Sequence, residues 1–164
     1  MARPMMRLKT SYSAREVAAL TGLSARQLQT WDSTGVFAPA ISPKRTAAGG
    51  FTERRYTPMD VLELVALADL RRQGFPPAVL RIMMDTLRDC FRRRLSETLD
   101  DAGELRLLTD GRGLFLRTQH GHIFDLLVDP MQPLVTGDGL PLKPVGTKGG
   151  ARRRRKQPTR QRTR

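Results

Sequence analysis

The chain has 164 residues, 29 lysines and arginines against 16 acids, a net charge of +13 and a single cysteine, Cys90. That length suits one domain, or a small domain with an appendage, and one cysteine excludes an internal disulfide or a cysteine-rich metal centre. No apolar run approaches the ~20 residues of a membrane-spanning helix, and residues 1–9 lack the apolar stretch of a secretory signal, so a soluble cytoplasmic chain is expected.

The charge is unevenly placed. Residues 143–164 carry ten basic side chains and no acid, and residues 1–56 carry nine basic and three acidic groups. Residues 57–142 are slightly acidic, with ten basic and thirteen acidic groups. A cationic head, a near-neutral body and a polycationic tail point to a polyanionic partner.

Residues 1–10 read as a flexible N-terminus. Residues 13–31 then predict two short helices joined by a tight turn. Ser13 with Glu16, and Ser24 with Gln27, have the spacing of capping boxes, so each opens a helix. Gly22, four residues after Ala18, marks the turn between them. Leu28 and Trp31, three residues apart, give the second helix its inward face. Ser24, Ala25, Arg26, Gln27, Gln29 and Thr30 are left outside, with short or hydrogen-bonding side chains that suit a DNA groove. Arg15 adds a cation on the first helix. This is the pattern of a DNA-binding helix-turn-helix.

Gly35 is placed to stop the second helix, and Val36 and Phe37 to fold back onto the core. Between Ala38 and Thr57, the helix breakers Pro39, Pro43, Gly49 and Gly50 mix with the cations Lys44, Arg45, Arg54 and Arg55. Phe51 and Tyr56 are expected to anchor the arms of a β-hairpin wing whose cations reach phosphates, with Tyr56 counted among the contacts. Thr57-Pro58-Met59-Asp60 starts a well-buried helix, Gly74 stops it, and Pro76-Pro77 opens the next.

That next helix is predicted to run from Pro77 to about Leu99. Its apolar positions are Leu80, Met83 or Met84, Leu87, Cys90 or Phe91, Leu95 and Leu99, close to three heptads. Something must cover such a stripe, either a second subunit or the chain's own C-terminal segment. A homodimer is favoured, with Leu80, Met84, Leu87, Phe91, Leu95 and Leu99 as its seam and Cys90 as a small buried residue on it. Apolar runs at 105–108, 114–116 and 123–128, separated by Asp110-Gly111 and His120-Gly121, predict a three-stranded β-meander. His120 and His122 are better explained as turn residues than as metal ligands, and no metal or cofactor is assigned.

Residues 12–84 resemble the MerR family of bacterial transcription regulators. The likeness is carried by Tyr12 through Ser24, then Arg26, Leu28, Trp31, Asp32, Gly35 and Val36, then Gly50-Phe51 and Arg54-Arg55-Tyr56-Thr57. Asp60-Val61 and the run from Leu70 to Pro76 complete it. The resemblance implies a winged helix-turn-helix head, an antiparallel coiled-coil dimer and a near-palindromic operator in double-stranded DNA. It gives Arg26 a major-groove or phosphate role and Arg54 or Arg55 a wing contact. RNA polymerase becomes a candidate partner, since family members distort promoter spacers. Gln29 and Thr30 stand where the family tends to carry Arg and Tyr. No cysteine pattern supports metal or redox sensing, and no effector is assigned.

The expected protein is therefore mainly α. A winged helix-turn-helix head spans 11–75, a dimerisation helix 76–100, a small β-segment 103–130, and a linker with a disordered basic tail 131–164. The expected function is dimeric transcription regulation at the nucleoid. An excisionase-like or nucleoid-associated architectural role is the alternative, and an enzyme is the weakest class, because no nucleophile–base pair or phosphate-cradling loop is present.

Overall fold

The computed structural model describes residues 9–134 and 139–146. The basic tail from residue 147 onward and residues 1–8 of the expected flexible N-terminus lie outside the described residues. The head begins with β1 (Tyr12–Ser13), α1 (Ala14–Thr21) and α2 (Ala25–Thr34). Further on, β2 (Arg55–Tyr56) pairs antiparallel with β1, Tyr12 opposite Tyr56, which returns the chain to its own start. The intervening residues form an irregular hairpin with bridges Ile41 to Arg55 and Arg45 to Phe51.

Next come α3 (Pro58–Arg72) and α4 (Pro77–Cys90), then a 3-10 turn over Leu95–Thr98. The start of α3 is closed on both sides: the Asp60 N–H donates to the Thr57 hydroxyl at 3.2 Å, and the Asp60 carboxylate accepts from the Thr57 N–H at 2.9 Å. Between α3 and α4, Gly74 adopts a φ of +104°, a left-handed conformation that a side chain would strain.

The remainder is a sheet: β3 (Leu105–Thr109), β4 (Leu114–Thr118), β5 (Ile123–Asp125), β6 (Asp129–Pro133) and β7 (Lys143–Pro144). The spatial order is β6-β5-β4-β3-β7, antiparallel throughout. This corrects the mainly α expectation. The chain has four α-helices and a five-stranded sheet, and with the 3-10 turn, β1, β2 and the bridges 38% of the described residues are helical and 20% are in strand, an α+β architecture. The difference lies at Asp129–Pro133 and Lys143–Pro144, where composition suggests a linker but the backbone pairs. Pro130 and Pro133 are tolerated because β6 is an edge strand, where missing N–H donors do not interrupt a central ladder.

Nor does the helix expected to reach Leu99 do so. After Cys90 the chain turns at Arg92, whose φ of +54° is left-handed without glycine, and the Arg93 N–H bonds back to the Leu87 carbonyl at 3.0 Å. Leu95 and Leu99 keep the apolar spacing by falling on and just after the 3-10 turn instead.

The apolar stripe of α4 is covered by the chain's own sheet, and the expected seam is corrected accordingly. Leu80, Leu87 and Leu95 are 0–1% exposed and share one core with Leu107, Leu114, Leu116 and Leu126. Met84, Phe91 and Leu99 are half-buried against that core, and Phe91 meets Phe124 edge-on with ring centroids 5.6 Å apart. Met83 occupies a fully buried position, whereas Cys90 is exposed rather than buried. Apolar burial drives this docking, and the strands supply a larger apolar face than a short helix in isolation.

Polar contacts lock the same arrangement. Asp60 and Glu63 are 1% and 2% exposed on α3, and both face Arg94 in the turn after α4. The Arg94 guanidinium reaches Glu63 at 2.7 Å and Asp60 at 3.4 Å. Burial raises the Glu63 carboxyl above its ordinary value of 4.5, with Arg94 and a Ser96 hydrogen bond opposing part of that rise.

Two outcomes follow from this packing. Leu87→Ala should cost about 2–5 kcal/mol in denaturant unfolding. The loss should be the same at every protein concentration, whereas at a subunit seam it would vanish in the dissociated chain. For Glu63, a raised folded pKa means that its contribution is present below 4.5 and lost as pH rises through the folded value. Glu63→Gln should therefore gain stability relative to the parent between acid and neutral pH, measured by unfolding at each pH; an unchanged difference would contradict the burial effect.

Candidate nucleic-acid interface

The head is assembled by short-range hydrogen bonds. In α1 the Ser13 hydroxyl accepts from the Glu16 N–H at 3.2 Å while Glu16 accepts from the Ser13 N–H at 3.3 Å. In α2, Ser24 accepts from the Gln27 N–H at 3.0 Å and the Gln27 carboxamide accepts from the Ser24 N–H at 2.8 Å. Both capping boxes are complete. Gly22 ends α1 with a φ of +77°, its N–H bonded to the Ala18 carbonyl at 2.9 Å. The Thr21 hydroxyl donates to the Val17 carbonyl and accepts from the Leu23 N–H, which shapes the turn from inside. Across the junction Arg72 of α3 donates to the Thr21 carbonyl at 3.2 Å, fastening the end of α1 to the third helix.

Leu28 and Trp31 anchor α2 in the core, 2% and 3% exposed. Leu23, Val36 and Phe37 are buried around it. Ser24, Ala25, Arg26, Gln27, Gln29 and Thr30 are all exposed, so the outer face of α2 is open along its first two turns. Arg15 is exposed on α1. Gln27 is a partial exception among the expected readers. Its carboxamide oxygen is engaged in the cap, so a bidentate contact to adenine would require breaking the capping box. Arg26, Gln29 and Thr30 carry no such obligation through their side chains.

The wing cations separate into two kinds. Lys44 and Arg45 are exposed on the hairpin, where Lys44 and Thr52 exchange backbone and hydroxyl hydrogen bonds at 2.7 Å. Arg54 and Arg55 are half-buried and already partnered. Arg54 Nε donates to Asp32 of α2 at 2.9 Å, tying the wing base to the second helix. Arg55 donates to the Ser11 hydroxyl at 2.8 Å and stands 3.9 Å from Glu53. Each guanidinium keeps donors to spare, but both are struts first.

Tyr56 is corrected outright. It is 1% exposed, its ring lies in the core, and burial raises its phenol above the ordinary 10.0 while Arg54 opposes the rise. Its hydroxyl has no hydrogen-bond partner among the described residues. Such a side chain packs the base of the wing and cannot reach a phosphate. Phe51, expected to anchor a hairpin arm, is instead 72% exposed. His120 and His122 are exposed in the connection between β4 and β5. Sequence reasoning missed Asp32 and Ser11, because partners 22 and 44 residues away leave no local signal.

Comparison with known proteins agrees with this geometry. Residues 12–87 match the family model described as MerR HTH family regulatory protein. This region is similar to the MerR family. Three curated relatives are each 28% identical over 116 residues, covering 71% of this chain and 47% of theirs. They are described as uncharacterized HTH-type transcriptional regulators of Mycobacterium bovis and of two strains of Mycobacterium tuberculosis. The chain thus spans about half the length of the curated relatives it matches. The MerR match ends within α4, so the 3-10 turn and the five-stranded sheet lie beyond it.

If Arg54 is a strut of the MerR head, Arg54→Ala should lower its unfolding free energy by up to about 1 kcal/mol. Lys44→Ala and Arg45→Ala should change it by less than about 0.5 kcal/mol. Equal losses at all three positions, measured by thermal unfolding, would remove the distinction.

Proposed function

We propose that the chain is a sequence-specific, DNA-binding transcription regulator whose α2 enters the major groove. The observation that carries this reading is the open outer face of α2, with Arg26, Gln29 and Thr30 exposed above Leu28 and Trp31 in the core. Guanidinium and carboxamide groups match guanine and adenine edges bidentately, and Arg26 and Gln29 supply one of each. Lys44 and Arg45 are the phosphate clamps of the wing, joined by Arg15 and by spare donors of Arg54 and Arg55. The acid-free stretch beyond residue 142 adds sequence-independent affinity through its ten cations.

A near-palindromic operator is read by two copies, with the two α2 helices about 34 Å apart, one turn of B-DNA. Because the α4 stripe is occupied inside each chain, the homodimer must pair elsewhere. Val128 and Met131, 82% and 70% exposed at the β6 end of the sheet, are the apolar side chains available there. RNA polymerase is a partner of the same reading, reached at the promoter, and the site of action is the cytoplasmic nucleoid. The polycationic stretch also favours a second reading, an architectural DNA-binding protein. Footprinting separates the two: one symmetric protected site supports the regulator, and cooperative spreading over tandem sites supports the architectural role.

Substitution of the readers and of the clamps should give different signatures. Arg26→Ala or Gln29→Ala should cost roughly 1–3 kcal/mol on the preferred site and relax base preference at one position. Lys44→Ala or Arg45→Ala should weaken all sequences alike and reduce the salt slope by about one per cation. Binding titrations against a randomised DNA library, repeated at several salt concentrations, check both, and a reversal of the two signatures would refute the assignment.

A further inference from the structure

Between the exposed faces of α2 and α4 lies a groove of about 850 Å³ that DNA reading leaves unexplained. Its floor is apolar, made by Trp31, Val36, Pro77, Ala78 and Ile82. Ile82 is the telling residue. It is 49% exposed on the side of α4 that turns away from the core, while Leu80 and Met83 beside it are fully buried. Trp31, 3% exposed over the whole residue, also lines the groove.

The rim is cationic. Arg26, Arg71 and Arg81 border the groove, together with one acid, Asp85. Asp85 is engaged by Arg88 at 3.0 Å and by Arg81 at 3.8 Å. Arg26 and Arg71 have no carboxylate partner among the described residues. An apolar floor beneath two unpaired guanidiniums selects a ligand with an apolar body and one carboxylate, since guanidinium holds carboxylate bidentately. Asp85 repels a second acidic group. The volume lies in the usual range for small-molecule sites.

We propose that this groove binds a small apolar monocarboxylate, and that its occupancy and operator binding exclude one another. Exclusion follows from shared residues: Arg26, Gln27 and Thr30 line the groove and belong to the helix that enters DNA. This second half rests on the regulator reading, whereas the first half does not. By linkage, DNA must weaken the carboxylate by the same factor by which the carboxylate weakens DNA.

Trp31 is the sole tryptophan, so its fluorescence reports the groove directly in the full chain. The probes are 4-phenylbutyrate and octanoate, with 4-phenylbutylamine as the control of opposite charge. A saturable change is expected with both carboxylates and none with the amine. Arg71→Gln and Ile82→Gln should each weaken the carboxylates about tenfold, equivalent to ~1.4 kcal/mol. Ile82→Gln should leave DNA affinity in the absence of probe unchanged, which also certifies its fold. Absence of a saturable, carboxylate-selective signal overturns the site. So does a loss of DNA affinity in Arg71→Gln with probe affinity intact, which would assign the cationic rim to phosphate. DNA binding without probe is measured separately. If it fails while the carboxylates bind, the regulator reading falls and the site stands; if both bind without competing, the exclusion falls.

Discussion

The Asp60 carboxylate is where three parts of this chain meet. One oxygen closes the start of α3 by accepting from Thr57 and also takes the Ala40 N–H, at 3.0 Å, from the entry to the wing. The other oxygen faces Arg94, in the turn that delivers the chain to its sheet. At 1% exposure, a charge this deep persists only if hydrogen bonds and a cation replace the lost water. The helix start, the wing base and the C-terminal half are therefore held by the same satisfied group. Glu63, one turn further along α3, repeats the dependence on Arg94, and burial raises its carboxyl above the ordinary value. Removing the guanidinium would leave two buried acids without their cation, so the position of the sheet is coupled to the electrostatics of α3 rather than to apolar contact alone.

This coupling explains why α4 ends where it does. A straight continuation through Arg92, Arg93 and Arg94 would carry Arg94 along the helix axis and away from α3. The left-handed turn at Arg92 redirects the chain, costs something for a residue with a side chain, and is offset by the Arg94 contacts and by burial of Leu95. The sheet then lies where the stripe of α4 needs cover. Arg106 on β3 contributes the matching tie from the other side: 8% exposed, it donates to the Thr98 and Val145 carbonyls and pairs with Asp101. One buried arginine thereby joins the 3-10 turn, the sheet and the segment after β7.

What the sequence makes legible is what is encoded within a few residues. Both capping boxes, the glycine stops at Gly22 and Gly35, and the Thr57–Asp60 helix start depend on partners at most four positions away, and each is present. The stop at Arg92 carries no glycine or proline, and Leu95 and Leu99 prolong the helical spacing past it, so the end of α4 is illegible locally. The cover over the stripe is illegible for another reason. Leu87 and Leu126 are 39 positions apart, and periodicity announces an apolar face without naming what lies on it. Tyr56 and Cys90 are illegible for the same reason: an aromatic beside two arginines resembles a contact residue, and a cysteine at a stripe position resembles a core residue. At the candidate interface, Arg26, Gln29, Lys44 and Arg45 are exposed, and no distant residue among those described claims their side chains. Arg54 and Arg55 were claimed by Asp32 and Ser11.

The second helix carries several obligations at once, and these limit how it can act. Leu28 and Trp31 commit one face to the core, and Ser24 and Gln27 commit the first turn to capping, so freedom to contact a partner is concentrated in Arg26, Gln29 and Thr30. Arg26 and Thr30 also border the groove shared with α4. Rigid placement lowers the cost of docking, because the backbone of a capped and packed helix needs no further ordering. The Arg54–Asp32 contact extends that rigidity to the base of the hairpin, tying it to α2. The uncommitted side chains of α2 are therefore few, and Arg26 and Thr30 belong both to its open face and to the groove beside α4.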